Sequence, residues 1–415
     1  MKWFDNNKEK VATEITNSMG KPKNNALNEI KTMMDRTNNL CNLSNTVLQD
    51  DIIQVDSNKI LKIKKEPVGF SFMISPWNYP LITVINVLVT SILCGNPVLL
   101  KHSVRTPKVG DFFQEAFDST GIKNVVQHLF LDAPDIKNVY ACEKVNFVSF
   151  TGSVTTGKEV LKDIASKGRF INSVYELGGK DPAYVRNDAN LKKSVANLID
   201  GAMYNAGQSC CSIERCYVHE SIYDKFIEEA VAELKNYTLG NPLGIKDGDN
   251  IKYPSYGPMA LPDSLYFIKD QVDKAGLAGA EIIYGGNMVS DSDSKGRFFE
   301  PTLLINCDHN MDIMREETFG PVLPVCKVSS DEEALSLMNE SQFGLTAAVY
   351  TEDYAFAEKF MSKVDAGTVF LNGCDSLNPL LPWSGRKNSG VGIGLSKYGF
   401  NALYKTKGYN FNLSK

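Results

Sequence analysis

The chain has 415 residues, a formal net charge of −5 and 43% hydrophobic residues, a balance that fits a folded chain of two or three domains. Mild acidity gives no support to nucleic-acid or membrane-surface partners. Nine cysteines without paired spacing fit a reducing compartment better than a disulfide framework, and four scattered histidines (His102, His128, His219, His309) give no support to a metal site.

The opening Met1-Lys2-Trp3-Phe4-Asp5 leads into a charged segment, not a signal-peptide pattern. Residues 9–19 read as a helix closed by Gly20, with Pro22 just beyond, and residues 25–48 as a second, mostly amphipathic helix. Residues 51–66 alternate polar and apolar around the turn Asp56-Ser57-Asn58 and read as a hairpin. From Pro67 strands and helices alternate: strands at 68–74, 97–101, 125–131, 145–150 and 172–176, helices at 81–93, 108–118 and 154–166. The longest apolar run, 81–94, contains Asn86 and is too short to cross a bilayer, so a cytoplasmic protein is expected. This rhythm predicts an α/β fold with a mostly parallel, doubly wound sheet.

A second α/β unit is expected from about 180 to 367, with helices at 191–204, 223–235 and 264–275 and a strand at 214–219. Residues 402–412, rich in Tyr, Thr and Phe, read as a terminal strand. The hairpin and this strand pair either with each other or across subunits, and they read as an oligomerisation element or as ordinary edge strands.

Six stretches carry chemistry. Tyr204-Asn205-Ala206-Gly207-Gln208-Ser209-Cys210-Cys211-Ser212 sits between a helix and a strand, a junction that can present a nucleophilic thiol or bury a small hydrophobe. In Ser75-Pro76-Trp77-Asn78-Tyr79-Pro80, Asn78 is either an oxyanion donor or a turn residue. Phe150-Thr151-Gly152-Ser153 opens a helix whose N-terminus favours phosphate, with a plain Ser153 N-cap as the other reading. Glu176, before Gly178-Gly179, is either a general base at a strand end or a solvated loop residue. The loops 316–321 and 382–390 are either ligand clamps or surface turns.

Taken in order, these stretches resemble the aldehyde dehydrogenase superfamily from about residue 15 to the C-terminus, and most of all its compact succinate-semialdehyde dehydrogenase branch. The resemblance implies a Rossmann-type cofactor domain (1–50 and 67–178), a catalytic domain (179–401) and oligomerisation strands (51–66 and 402–415) of a homodimer or homotetramer. It implies an aldehyde substrate and NADP or NAD as cofactor. Cys210 matches the nucleophile, Cys211 a non-catalytic neighbour, Glu176 the general base, and Asn78 the oxyanion amide, joined by the Cys210 backbone N–H. Lys101 and Ser153 match the adenosine-ribose and pyrophosphate side of the cofactor, Glu317 and Phe319 its nicotinamide half. Ser75, Pro76, Trp77, Gly152 and Leu177 complete the expected cofactor contacts, and no metal is expected.

Two features depart from the family pattern. Family members usually begin several dozen residues earlier, and this sequence opens part-way through that region. Val104 stands where many NAD-preferring relatives carry a Glu, so NADP acceptance is expected, with Lys101 and Arg105 as the nearby cations. Tyr79 points to a partly aromatic pocket or to an ordinary core position, and no arginine can be assigned to the pocket from sequence. A thiol esterase without a redox step and a catalytically silent member are the alternatives.

Overall fold

Parallel strands need long crossovers, and the helices between the apolar runs supply them. The computed structural model describes residues 1–290 and 296–413; residues 414–415 of the expected terminal segment lie outside the described residues. Five parallel strands, Phe70–Ile74, Val98–Lys101, Val126–His128, Val145–Thr151 and Asn172–Glu176, form the first sheet. The chain adds 98–101 and 126–128 on one side of Phe70–Ile74, then returns to place 145–151 and 172–176 on the other. That reversal opens a crevice beyond the C-terminal ends of Phe70–Ile74 and Val145–Thr151, where doubly wound sheets bind ligands. The residues that follow those ends are Ser75-Pro76-Trp77 and Gly152-Ser153. A short strand, Gly390–Val391, joins Asn172–Glu176 antiparallel at the sheet edge.

The second sheet has seven strands, in the order Glu281–Tyr284, Thr302–Ile305, Val322–Val328, Ile213–His219, Asp181–Val185, Thr346–Tyr350, Thr368–Leu371. Only the Glu281–Tyr284 edge is antiparallel. Both faces are covered, so the central strands are buried along most of their length, with Asp181, Glu214 and Arg215 as buried charged exceptions. Leu198, Ile199 and Phe226 from the helices Leu191–Met203 and Tyr223–Leu234 pack with Val218 and Leu323 on one side. Ile268 and Val272 from the helix Pro262–Leu277 pack with Tyr217 and Val349 on the other.

The hairpin Asp51–Val55 and Lys59–Pro67 pairs with Tyr404–Asn412 in a three-stranded antiparallel sheet, in register from Lys59 opposite Asn412 to Pro67 opposite Tyr404. Of the two pairings open from sequence, the pairing within one chain is the one observed. At the N-terminus, Lys8–Met19 stops at Gly20, whose φ of 84° suits a residue without a Cβ. The following helix, Lys23–Val47, lies against Ile82–Leu93. Among the helices not expected from sequence are Asp331–Asn339, Tyr354–Met361 and Ala133–Ala141, the last begun by the Asp132 side chain accepting from the Asp135 N–H. Among the described residues no helix is long and apolar enough to cross a membrane.

Candidate active site

The loop before Ile213–His219 is held in an unusual backbone conformation. Asn205, Ala206 and Gly207 have φ of 55°, 57° and 65°, three left-handed residues in succession. Only Gly fits the third place, because a Cβ there would lie 2.1 Å from the Gly320 carbonyl oxygen. Gln208 ties the loop down from both ends of its amide. Its Nε2 donates to the Asn205 carbonyl at 3.0 Å, and its Oε1 accepts from the Ala260 N–H at 2.9 Å. The loop delivers Cys210, half-buried, to a cavity of about 430 Å³. Cys211 is buried beside it in the wall of the same cavity, where its thiol donates to Asp375 Oδ1 at 2.8 Å. Its contact with Cys210 and its burial hold the Cys211 thiol well above the usual range.

Glu176 ends its strand in the wall of the same cavity. It is buried, and its Oε1 has no hydrogen-bond partner among the described residues. Burial pushes its carboxyl up to about 7, against the opposing pull of Arg36 and Trp383. A buried carboxyl near neutrality is matched to proton transfer. Asn78 lies behind the cysteine loop, its Nδ2 donating to the Gln208 carbonyl at 3.2 Å. Asn205 Nδ2 donates to the carbonyls of both Asn78 and Gln208, which locks the two loops together. The Cys210 backbone N–H makes no hydrogen bond among the described residues.

The crevice at the strand reversal is a cleft of about 750 Å³. Ser75, Pro76, Trp77, Lys101, Gly152 and Ser153 line it. Ser153 also caps its helix, its Oγ accepting from the Thr156 N–H at 3.3 Å, so the plain N-cap reading describes its hydroxyl. Leu177 is not in the cleft lining; it packs on Gly157, where an added Cβ would meet its Cδ2 at 2.6 Å. Val104 is 82% exposed, and neither it nor Arg105 lines the cleft; Ser103, Lys137 and Lys162 do.

Glu317 and Phe319 reach this region from the second sheet. The Gly179 N–H donates to Glu317 Oε1 at 3.0 Å, and the Phe319 ring meets Trp77 edge-on at 5.8 Å between centroids. Burial beside Glu214 raises the Glu317 carboxyl to about 8. The loop is anchored by an ion pair that sequence reading missed. Glu214 accepts from the Thr318 and Phe319 N–H groups at 2.7 and 2.8 Å, and Lys180 reaches both Glu214 and the Thr318 hydroxyl. Among the described residues no group of three or more His, Cys, Asp or Glu side chains is placed to hold a metal ion.

The model of the aldehyde dehydrogenase family matches residues 1–408. The chain belongs to the aldehyde dehydrogenase family. It is 33% identical to an aldehyde dehydrogenase of Paenarthrobacter nicotinovorans, over 84% of this chain and 73% of that one. It is 32% identical to human retinaldehyde dehydrogenase 3, over 85% of this chain and 67% of that one. Among solved structures it is similar to betaine aldehyde dehydrogenase of Staphylococcus aureus in complex with NAD+, with a TM-score of 0.90 at 30% identity, covering 99% of this chain and 82% of that chain. Succinic semialdehyde dehydrogenase of Streptococcus pyogenes, in complex with NADP+, superposes with a TM-score of 0.90 at 27% identity over 99% and 88%.

In this dehydrogenase the cavity beside Cys210 departs from the sequence reading in one respect. An arginine does line it: Arg36, from the helix Lys23–Val47. Lys21, Tyr79 and Tyr204 line it too. Tyr79 is half-buried with its hydroxyl buried, so the aromatic-pocket reading and the core reading both describe it. Arg36 was missed because one polar residue on a helical face gives no sign of which neighbour it meets. The Ala133–Ala141 helix, which adds Ile136, Lys137 and Tyr140 to the cleft at the strand reversal, lacked a clear apolar period.

Proposed function

We propose that this NAD(P)-dependent aldehyde dehydrogenase oxidises an aldehyde to the carboxylic acid through a covalent adduct on Cys210. The observation that carries the reading is the meeting of Cys210 and Glu176 in one cavity, with Asn78 behind the thiol. Cys210 attacks the carbonyl as thiolate and forms a thiohemiacetal. Asn78 Nδ2 and the Cys210 N–H hold its oxyanion, once Asn78 exchanges its present acceptor, the Gln208 carbonyl, for the substrate oxygen. Loss of one such donor costs about 3–4 kcal/mol of barrier. Conversion of the adduct to a thioester on Cys210 requires loss of a hydride, which the nicotinamide of bound NAD or NADP would accept. Glu176 then takes a proton from water, which attacks the thioester and releases the acid.

The crevice residues fit a dinucleotide. Gly152 leaves the backbone at the helix start uncovered, the Val154–Ser166 N-terminus favours a pyrophosphate, and Lys101 adds a cation. Ser75, Pro76, Trp77, Lys101, Gly152 and Ser153 would hold the adenosine and pyrophosphate side, with Leu177 supporting that helix from below through Gly157. Glu317 and Phe319 would hold the nicotinamide half. Bound there, NAD or NADP supplies the hydride acceptor.

By the same reading, residues 1–50 and 67–178 form the cofactor domain, 179–401 the catalytic domain, and 51–66 with 402–415 the assembly strands of a homodimer or homotetramer. The test of the chemistry is nicotinamide reduction across a panel of aldehydes. Cys210→Ala is expected to abolish it while cofactor binding remains, and Cys211→Ala to keep most of it. The reverse pattern would overturn the assignment of the nucleophile. Aldehyde-independent ester hydrolysis with no nicotinamide reduction would favour a thiol esterase instead.

A further inference from the structure

Glu176 keeps one oxygen that the fold does not satisfy. Its Oε1 is buried and accepts from nothing among the described residues. Gly394 leaves room beside that oxygen: a Cβ there would lie 2.7 Å from Glu176 Oε1 and 3.8 Å from Asn86 Cβ. Asn86 and the unsatisfied oxygen of Glu176 therefore border the same point, and Asn86 is the residue that holds Arg36. The Arg36 Nη1 donates to Asn86 Oδ1 at 2.8 Å and to the Ile82 carbonyl at 3.3 Å, both neutral acceptors on the helix Ile82–Leu93. Among the described residues its Nε and Nη2 donate to nothing, and no carboxylate lies within salt-bridge distance of it. A guanidinium buried without a direct ion pair is costly, and a tie between two helices needs only a neutral donor. The charge of Arg36 has a use beyond the tie.

We infer that Arg36 is a positioning residue for deacylation: anchored on Asn86, it acts on Glu176 within the shared cavity and keeps that carboxylate charged and ready for the attacking water. This rests on the reading of Glu176 as the base. In that step the water oxygen bonds to the thioester carbon, the C–S bond breaks, Cys210 leaves as thiolate and Glu176 takes the water proton. A carboxyl buried this deeply tends to hold its own proton, and a nearby cation opposes that. Burial pushes the Glu176 carboxyl up, and Arg36 pulls it back toward about 7, with a smaller contribution from Trp383. The coupling is mutual: burial works against the Arg36 charge, and of the groups around it Glu176 does most to support it. The other titratable groups of the cavity have their own partners or stay neutral. Lys21 pairs with Glu29, whose other oxygen accepts from the Leu81 and Ile82 N–H groups. Asp375 accepts from the Cys211 thiol, and Asp200, raised by burial, has Tyr237 beside it. Burial keeps Tyr79 and Tyr204 protonated, and Cys210 carries the acyl group during the step.

The experiment follows the rate at which the acyl group of a labelled aldehyde leaves the enzyme, by acid quench after a single turnover, from about pH 5 to about pH 10. Arg36→Met and Arg36→Gln remove the charge, and Gln keeps a donor for Asn86, so Arg36→Gln decides the matter if Arg36→Met does not fold. Both are expected to move the midpoint of the pH profile up by about one unit. Deacylation then falls by about tenfold at about pH 6 and returns to the wild-type rate well above the new midpoint. Arg36→Lys should keep the midpoint close to that of the wild type. An unmoved midpoint in Arg36→Gln, or a loss of rate equal at every pH, would overturn the inference, because a tie between helices predicts no dependence on the charge of Glu176. A second measurement needs no turnover: infrared titration of the Glu176 carboxyl stretch, assigned by its loss in Glu176→Gln. The same upward shift in Arg36→Gln supports the inference, and an unchanged titration rejects it. If Glu176→Gln deacylates at the wild-type rate, the reading of Glu176 as the base fails, while the infrared titration still decides whether Arg36 holds its charge.

Discussion

A residue that must act as a base in a water-poor wall carries the cost of its burial in its own titration. Glu176 sits at about 7 against an ordinary 4.5. Its base form gains population as pH rises through about 7, so deacylation should speed up across that range and level off above it. Glu176→Gln should give a burst of about one equivalent of reduced nicotinamide per site and then stall as the thioester. Steady turnover of the variant at the wild-type rate would exclude Glu176 as the base. The stability consequence has the opposite sign. Between pH 4.5 and about 7 the folded chain keeps a proton that the unfolded chain has lost. Stability therefore falls with rising pH across that window, by about 3 kcal/mol in all, and stays lower above it. Thermal unfolding at pH 8 should show Glu176→Gln to be more stable than the wild type. The stretches bearing Cys210, Cys211 and Glu176 were legible in the sequence, but the place of Arg36 in the same cavity was not, because a lone polar residue on a helical face does not show which cavity it will line.

At the scale of elements, the loop after Val98–Lys101 bears on cofactor choice. A carboxylate at position 104 would repel a 2′-phosphate and bind a ribose diol. Val104 can do neither, and its side chain faces solvent. Lys101, Ser103, Lys137 and Lys162 line the cleft, although Lys137 is shared with Asp163 at 3.3 Å. On the proposed reading, Lys101 would supply a charge-assisted contact of about 1.5–3 kcal/mol for a phosphate. NADP should therefore be used at least as well as NAD by kcat/KM, and Val104→Glu should move the ratio toward NAD. A tenfold wild-type preference for NAD would show that other contacts set the choice. The loop sequence named Lys101 and Arg105 as the cations. Arg105 does not line the cleft, and the lysines that replace it come from helices distant in sequence.

At the scale of the whole molecule, the small sheet leaves an edge open. Among the described residues Asp51–Val55 pairs only with Lys59–Pro67, and Ile52, Ile53 and Val55 are 59%, 63% and 64% exposed. An apolar strand with unpaired backbone groups is an aggregation hazard unless another chain covers it. A dimer or tetramer should form through this arm, and sedimentation at micromolar concentration checks it. A clean monomer would reject the role given to these strands. Substituting Ile53 by Lys should weaken the assembly while leaving the two larger sheets untouched.

What the sequence determined by itself was local and periodic. The apolar runs, the turn residues and the ordered motifs were enough for the α/β class, most of the elements through residue 176 and the stretches bearing Asn78, Glu176 and Cys210. Spacing along a chain records which face of a helix or strand is buried, because that pattern has a fixed period. The tertiary structure decided everything that depends on elements meeting. It put the hairpin and the terminal strand in one sheet, set Phe319 against Trp77, anchored the Phe319 loop on Glu214 and Lys180, and turned Arg36 into the cavity of Cys210. Those contacts join segments far apart in the chain, and no local period encodes which of many buried polar groups will face each other.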